Sequence, residues 1–308
     1  MADLSYEPFS RDPEYVEVNR LFVESLNLRG DSRVLDLACG TGTLTGIICC
    51  ALERSDLSGP DVLAGQRPGI IGADISHESL VLAERFLAEV EKPKTQRVYW
   101  LEASATRLPL RSDSVDAVVI GNAIQLFEEK DEILGEVRRV LAEGGILAFN
   151  TSFYAGTFAP GTERFYLRWV QEALKYIRER DAERRTEGLA RTARKRSAGK
   201  AAFSNPWLSR SEYECLLVRN GFQVDGVVER TVMLTRRGLE AIGSYAGLAC
   251  VLLRGHHVEQ ACEALAKSVE PALSAVCMDF VPRYWIEFIS RKKGGHLRED
   301  ASSPKPTA

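Results

Sequence analysis

Val34-Leu35-Asp36-Leu37-Ala38-Cys39-Gly40-Thr41-Gly42 is a short apolar run that ends in two closely spaced glycines. A run of this length, closed by turn residues, reads as a buried strand. Glycine lets the backbone bend tightly after it and approach a ligand with no Cβ in the way. Apolar residues then recur through Leu52 at helical spacing. The first N–H groups of such a helix have no partner inside it and face the bend. Strand, glycine bend and helix together suit a nucleotide-like ligand.

The same alternation continues downstream. Residues 70–75 form a second apolar run with Asp74 near its end, and Ser76 is placed to cap a helix with Leu80, Ala83, Leu87 and Val90 on one face. Residues 98–101 and 117–121 predict a third and a fourth strand. A helix carrying Ile133, Val137 and Leu141 follows, Gly144-Gly145 is expected to end it, and residues 146–150 predict a fifth strand. Short apolar runs alternating with amphipathic helices predict an α/β fold with a mostly parallel sheet covered on both faces.

Around this core the pattern is mainly helical. Tyr15, Val18, Leu21, Phe22 and Leu26 predict a helix over 12–28, and 53–69 reads as an exposed loop. Past Asn150 the alternation stops. Phe165, Trp169, Leu174 and Ile177 mark a long amphipathic helix over 161–186, followed by a basic stretch at 187–201. Ser209 with Glu212 has the form of a capping box, and Gly221 closes the helix it starts. A sixth strand over 222–234, helices near 236–253 and 257–277, and a last strand over 284–290 complete the reading. The Lys-, Gly-, Ser- and Pro-rich tail is expected to be disordered.

Composition narrows the function classes. The 308 residues carry a net charge of -3, 45% hydrophobic and 27% charged residues, which is ordinary for a globular protein. Near-neutral charge gives no whole-protein case for nucleic acid or membrane binding. The seven cysteines include no C-x-x-C pair, so neither a disulfide framework nor a metal site is expected. The N-terminus lacks the form of a signal peptide, and no stretch approaches the roughly 20 apolar residues of a spanning helix. A cytoplasmic location is expected.

The run from Val34 to Gly42 resembles the first motif of class I S-adenosylmethionine-dependent methyltransferases. Ser104-Ala105-Thr106-Arg107-Leu108-Pro109-Leu110 with Ser114-Val115-Asp116, and Arg138-Arg139-Val140-Leu141-Ala142-Glu143-Gly144-Gly145, resemble two further blocks of that family. The likeness covers roughly residues 30–150 and is closest to the ubiquinone, menaquinone and natural-product methyltransferases. It implies a Rossmann-like seven-stranded sheet with a helical cap, S-adenosylmethionine as cofactor, and methyl transfer to a small metabolite by direct displacement. Asp36, Ala38, Gly40 and Gly42 would then hold its amino acid part. Asp74 would accept from both ribose hydroxyls, Ile75 would lie against the adenine, and Ser104, Ala105 and Asn122 would complete the pocket. Two departures stand out: Ser104 replaces a common Asp, and Gln125 replaces a common His in Asn122-Ala123-Ile124-Gln125-Leu126-Phe127.

A dinucleotide-binding dehydrogenase is the main competitor. Its G-x-G-x-x-G fingerprint needs a third glycine where Thr45 stands, with an acidic residue about 20 positions on; Asp74 lies 34 past Gly40. On the methyltransferase reading the chain divides into an N-terminal helical segment (1–30), the cofactor-binding core (31–152), a cap insertion with a basic segment (153–208), the rest of the core with an inserted helix pair (209–291) and a tail (292–308).

A general base is needed only if the nucleophile must lose a proton as it attacks. Tyr154 and Glu163, just past the fifth strand, are the candidates, since ligands of open α/β sheets bind beyond the carboxyl ends of the strands. His77 reads as a surface residue, His256-His257 as a polar turn, and His296 falls in the tail. The apolar stripes of the added helices either line a hydrophobic substrate pocket or pack on the core or a second subunit, which leaves monomer or homodimer open. Residues 190–200 hold five basic residues and no acid, either a solvated loop or an attractor for an anionic substrate, a carrier protein or a membrane surface. The alternatives to an active small-molecule enzyme are a non-catalytic S-adenosylmethionine-binding partner subunit and an RNA methyltransferase.

Overall fold

In the computed structural model, residues 5–55, 69–89, 97–186 and 206–294 are described. Among them one sheet is formed by β1 (Val34–Leu37), β2 (Ile70–Asp74), β3 (Val98–Glu102), β4 (Val115–Gly121), β5 (Leu141–Thr151), β6 (Phe222–Thr235) and β7 (Phe280–Lys292). Its order is β3-β2-β1-β4-β5-β7-β6. The first five strands run parallel, and β7 runs antiparallel to both β5 and β6. The chain moves outward from β1 through β2 to β3, then crosses back to β4 beside β1. That reversal opens a crevice at the carboxyl ends of β1 and β4, where open α/β sheets bind ligands.

Strand residues alternate between two cores, as the period of a strand requires. Leu35 and Leu37 face α5 (Lys130–Val140) and α7 (Arg210–Arg219), packing with Leu134, Val137, Tyr213 and Leu217. Val34 faces the other way, toward α2 (Pro13–Ser25) and α3 (Thr43–Ser55), with Phe22, Ile48 and Leu52. Asp12 caps α2 by accepting from Glu14 N–H at 3.3 Å, with Pro13 in the first helical position, where its missing N–H costs nothing. α4 (His77–Glu89) connects β2 to β3.

A third core lies under the added helices. α6 (Glu163–Thr186) presents Phe165, Trp169, Ala173 and Ile177, one per turn, to α8 (Arg236–Gly243), α10 (Val258–Lys267) and α11 (Val269–Val276). Trp169 Nε1 donates to the Leu265 carbonyl at 2.7 Å, so the indole is buried without an orphaned donor. Most of the stripe therefore packs inside the chain, while Trp169, Leu239 and Ile242 also line a cavity.

Four expectations need correction. Each helix expected near 236–253 and 257–277 is two: α8 gives way to α9 (Ala246–Leu252) at Ser244, and α10 ends at Ser268, where α11 starts. Pro271 in the first turn of α11 has no N–H for the carbonyl four residues back, so one continuous helix could not bond through it. α5 ends at Val140 rather than at Gly144-Gly145, and β5 begins at once, with Gly144 bent at φ +68° within it. Lys292, read as the start of the tail, still pairs with Phe222 in the sheet, and 295–308 lie outside the described residues. The capping box of Ser209 and Glu212 is formed as read. Val90, most of 53–69, the basic segment and His296 lie outside the described residues.

Candidate active site

The glycine bend sits at the end of β1 in the crevice. Ala38, Gly40 and Gly42 all have positive φ, +59°, +53° and +83°. For Ala38 that left-handed geometry is uncommon and strained, and such residues gather at functional sites. The two glycines have different duties. A Cβ on Gly42 would meet the Ala83 Cβ at 2.9 Å, so this glycine lets α4 come close. A Cβ on Gly40 would meet nothing within 4 Å, and Gly40 lines the pocket. Its missing side chain leaves a cradle open.

Asp74 closes the opposite wall. One carboxylate oxygen accepts from Gly40 N–H and the other from Ser76 N–H, each at 2.9 Å. A carboxylate has about four acceptor positions, so two remain for a pair of hydroxyls. Ala38, Asp74 and Leu126 line both this pocket and an adjoining groove that carries Ile75, Ser104, Ala105 and Phe127. The two form one trough across the ends of β1, β2 and β3. Ile75 is 75% exposed there, an apolar face open to a flat ring. Ser104 Oγ lies 2.9 Å from Thr106 Oγ1.

Asp36 is fully buried on the α3 side of β1. Thr45 Oγ1 donates to its Oδ2 at 2.6 Å, while Oδ1 is a buried acceptor with no partner. Burial pushes its carboxyl up to about 7, against the Thr45 hydrogen bond, and the Asp74 charge adds to the rise. An unsatisfied carboxylate oxygen beside the pocket fits a cationic donor, the ammonium that an amino acid ligand would bring. The cradle at Gly40, the spare positions on Asp74 and the orphaned oxygen of Asp36 all match the parts of S-adenosylmethionine.

Asn122, at the end of β4 with φ +48°, lines the pocket but has its side chain engaged. Its Nδ2 donates to the Tyr6 hydroxyl at 2.5 Å and its Oδ1 accepts from Ser152 N–H at 2.8 Å. It ties the wall together rather than reaching into the space. Gln125 is buried beside it, accepting from Thr151 Oγ1 and donating to the Asn122 carbonyl.

The candidate bases do not face this pocket. Tyr154 is 2% exposed, packs in the core shared by α5 and α7, and donates to Glu229 on β6. Packing in that core and the bond to Glu229 hold its ring away from the trough. Glu163 is exposed at the start of α6. Neither lines the trough. His77 contacts Glu102 at the surface, and His257 contacts Glu259 at the start of α10.

Aromatic residues line the pocket instead; of these Tyr6 and Phe153 are unread in the sequence, Tyr15 reads there only as a helix residue, and Tyr245 belongs to a stripe that reads as either pocket lining or packing. Tyr6, at the N-cap of α1 (Glu7–Ser10), joins Tyr15, Tyr245 and Phe153 in the pocket wall. The Tyr6 ring lies edge-on to Tyr15 at 6.0 Å and to Tyr245 at 5.2 Å. Burial raises the Tyr6 hydroxyl well above its ordinary value, with Tyr15 adding to the rise, so it stays protonated and serves as a donor or acceptor, not a base. No local pattern marks Tyr6, whose partner Asn122 lies 116 positions away.

Residues 28–183 match the family described as a methyltransferase domain, and the chain belongs to that family. It is similar to the ubiquinone/menaquinone biosynthesis C-methyltransferase UbiE of Campylobacter jejuni, 33% identical over 151 residues, which cover 47% of this chain and 56% of that protein. It is also similar to the demethylmenaquinone methyltransferase of Thermus thermophilus, 34% identical over 137 residues, covering 44% and 59%. The chain thus spans little more than half the length of these relatives. Its fold is shared by the YcgJ protein of Bacillus subtilis, with TM-score 0.51, 16% identity and coverage of 91% of this chain and 99% of that one. It is shared too by SpnF, described as a [4+2]-cyclase, with TM-score 0.52, 17% identity and coverage of 91% and 82%. A fold that also carries a cyclase does not by itself fix the chemistry, which has to be argued from the site.

Proposed function

We propose that the protein is an S-adenosylmethionine-dependent methyltransferase acting on a small organic metabolite. The observation that carries this is the single trough holding the Gly40 cradle, the half-used carboxylate of Asp74 and the exposed face of Ile75. Those three features stand in the order amino acid, ribose and base. When bound, the cofactor would supply an electrophilic methyl group on a cationic sulfur.

The chain's own residues then bind, align and keep out water. Asp74 grips the sugar, and Asp36 with the glycine bend holds the amino acid end. Tyr6, Tyr15, Tyr245 and Phe153 surround the remaining space with aromatic rings, whose faces attract a cation and exclude solvent. Alignment is the main source of acceleration for such a displacement.

Incubation with methyl-labelled S-adenosylmethionine and a metabolite extract tests the reading. A labelled small product is expected. Tight cofactor binding without labelled product under any condition would instead favour a non-catalytic binding subunit.

A further inference from the structure

Phe153 also belongs to a second, partly open cavity between the sheet edge and the added helices, where it stands with Phe158, Tyr166, Trp207 and Leu248. Among the described residues, every other wall residue is apolar or uncharged except Arg283 on β7. Arg283 is 9% exposed. Its Nε and Nη2 both donate to the Ser152 carbonyl, at 3.0 and 2.6 Å, and Nη1 reaches the Tyr166 hydroxyl at 3.4 Å. Phe153 and Phe158 flank the guanidinium with ring centres at 5.0 and 5.2 Å. Among the described residues no carboxylate forms an ion pair with it.

A buried charge is ordinarily paired, because solvent is no longer there to stabilise it. The two rings and the one carbonyl only partly replace water; they carry no counter-charge. Three of the five guanidinium N–H groups are engaged, which leaves one on each terminal nitrogen. Two donors left on adjacent nitrogens suit the two oxygens of a carboxylate. One guanidinium with no second cation suits a single negative charge better than a phosphate dianion.

We propose that this cavity holds the apolar body of the methyl acceptor and that Arg283 binds a carboxylate on it. The substrate class is then an amphipathic carboxylic acid, extending from Arg283 past Phe153 toward the pocket over Gly40. This rests on reading that pocket as the cofactor site.

The test uses the full chain and the fluorescence of Trp169 and Trp207, which both line the cavity. Phenylacetate, 4-phenylbutyrate and octanoate are titrated against their uncharged amides. At least one acid should bind tenfold or more tightly than its amide. Arg283→Met should abolish that preference, Arg283→Lys should keep part of it, and Trp207→Ala should weaken acid and amide alike. If no acid binds, or acid and amide bind equally to the unaltered chain, the proposal is overturned whether or not Arg283→Met folds. A preference that survives in folded Arg283→Met also overturns it. S-adenosylhomocysteine binding, measured alongside, separates the two claims: retained binding with no acid preference removes only this one, while absent binding removes the cofactor reading on which this one rests.

Discussion

Asn122 Nδ2 and the Tyr6 hydroxyl lie 2.5 Å apart, fastening the N-terminal segment to the end of β4 over the pocket. Tyr6→Phe leaves that buried amide without an acceptor, and an unsatisfied buried donor costs about 1–3 kcal/mol. The substitution should lower unfolding stability by that amount and speed release of S-adenosylhomocysteine, because the segment then closes the pocket less firmly. Denaturant melts and stopped-flow displacement check both effects. Unchanged release would mean the segment does not retain the ligand.

Tyr154→Phe should behave differently. Its hydroxyl serves Glu229 on β6 and not the trough, so removing it should cost about 1 kcal/mol of stability and leave turnover intact. A fall in turnover at constant stability would restore Tyr154 to the reaction.

Gly40→Ala and Gly42→Ala should divide binding from folding. At Gly40 an added methyl meets nothing and costs roughly 1–2 kcal/mol for its left-handed backbone, but it stands in the cradle and should abolish detectable cofactor binding. At Gly42 it collides with Ala83, and the larger loss should be of stability. Melting temperatures with calorimetric titration distinguish the two patterns.

Stability should depend on pH through Asp36. Its folded carboxyl is raised by burial to about 7, whereas an unfolded Asp ionises near 4. Between those values the folded state holds a proton that the unfolded state has released. Stability therefore falls as pH rises through this window and levels off above it. Asp36→Asn lacks the titration, so its stability relative to the unaltered chain should climb by roughly 1–4 kcal/mol between pH 4 and 7. Urea melts across that range check it; a constant difference would contradict it.

What the sequence made legible was local. The glycine bend, Asp74 at the end of its strand, and the capping box at Ser209 each rest on spacing within a few residues, and each formed as read. The walls of the pocket were less legible: Tyr6 and Phe153 reach it through contacts far apart in the chain, and Tyr245 was legible only as part of a stripe that could line a pocket or pack. Tyr154 misled for a related reason: proximity to the strand end placed it near the crevice, but the direction of its side chain is set by packing against Phe149, Tyr213 and their neighbours in the same core. Asn122 was read as a ligand contact, yet its hydrogen bonds are taken up by Tyr6 and Ser152.

The grip of Asp74 on a ribose is the most direct point of attack. Isothermal titration of S-adenosylhomocysteine into the unaltered chain and into Asp74→Ala measures it. The account predicts binding to the first and a loss of about 1.5–3 kcal/mol per hydrogen bond removed in the second, with some loss of stability as well, since Asp74 also holds Gly40 and Ser76. Equal affinity in a folded Asp74→Ala chain, or no affinity in either, would contradict it.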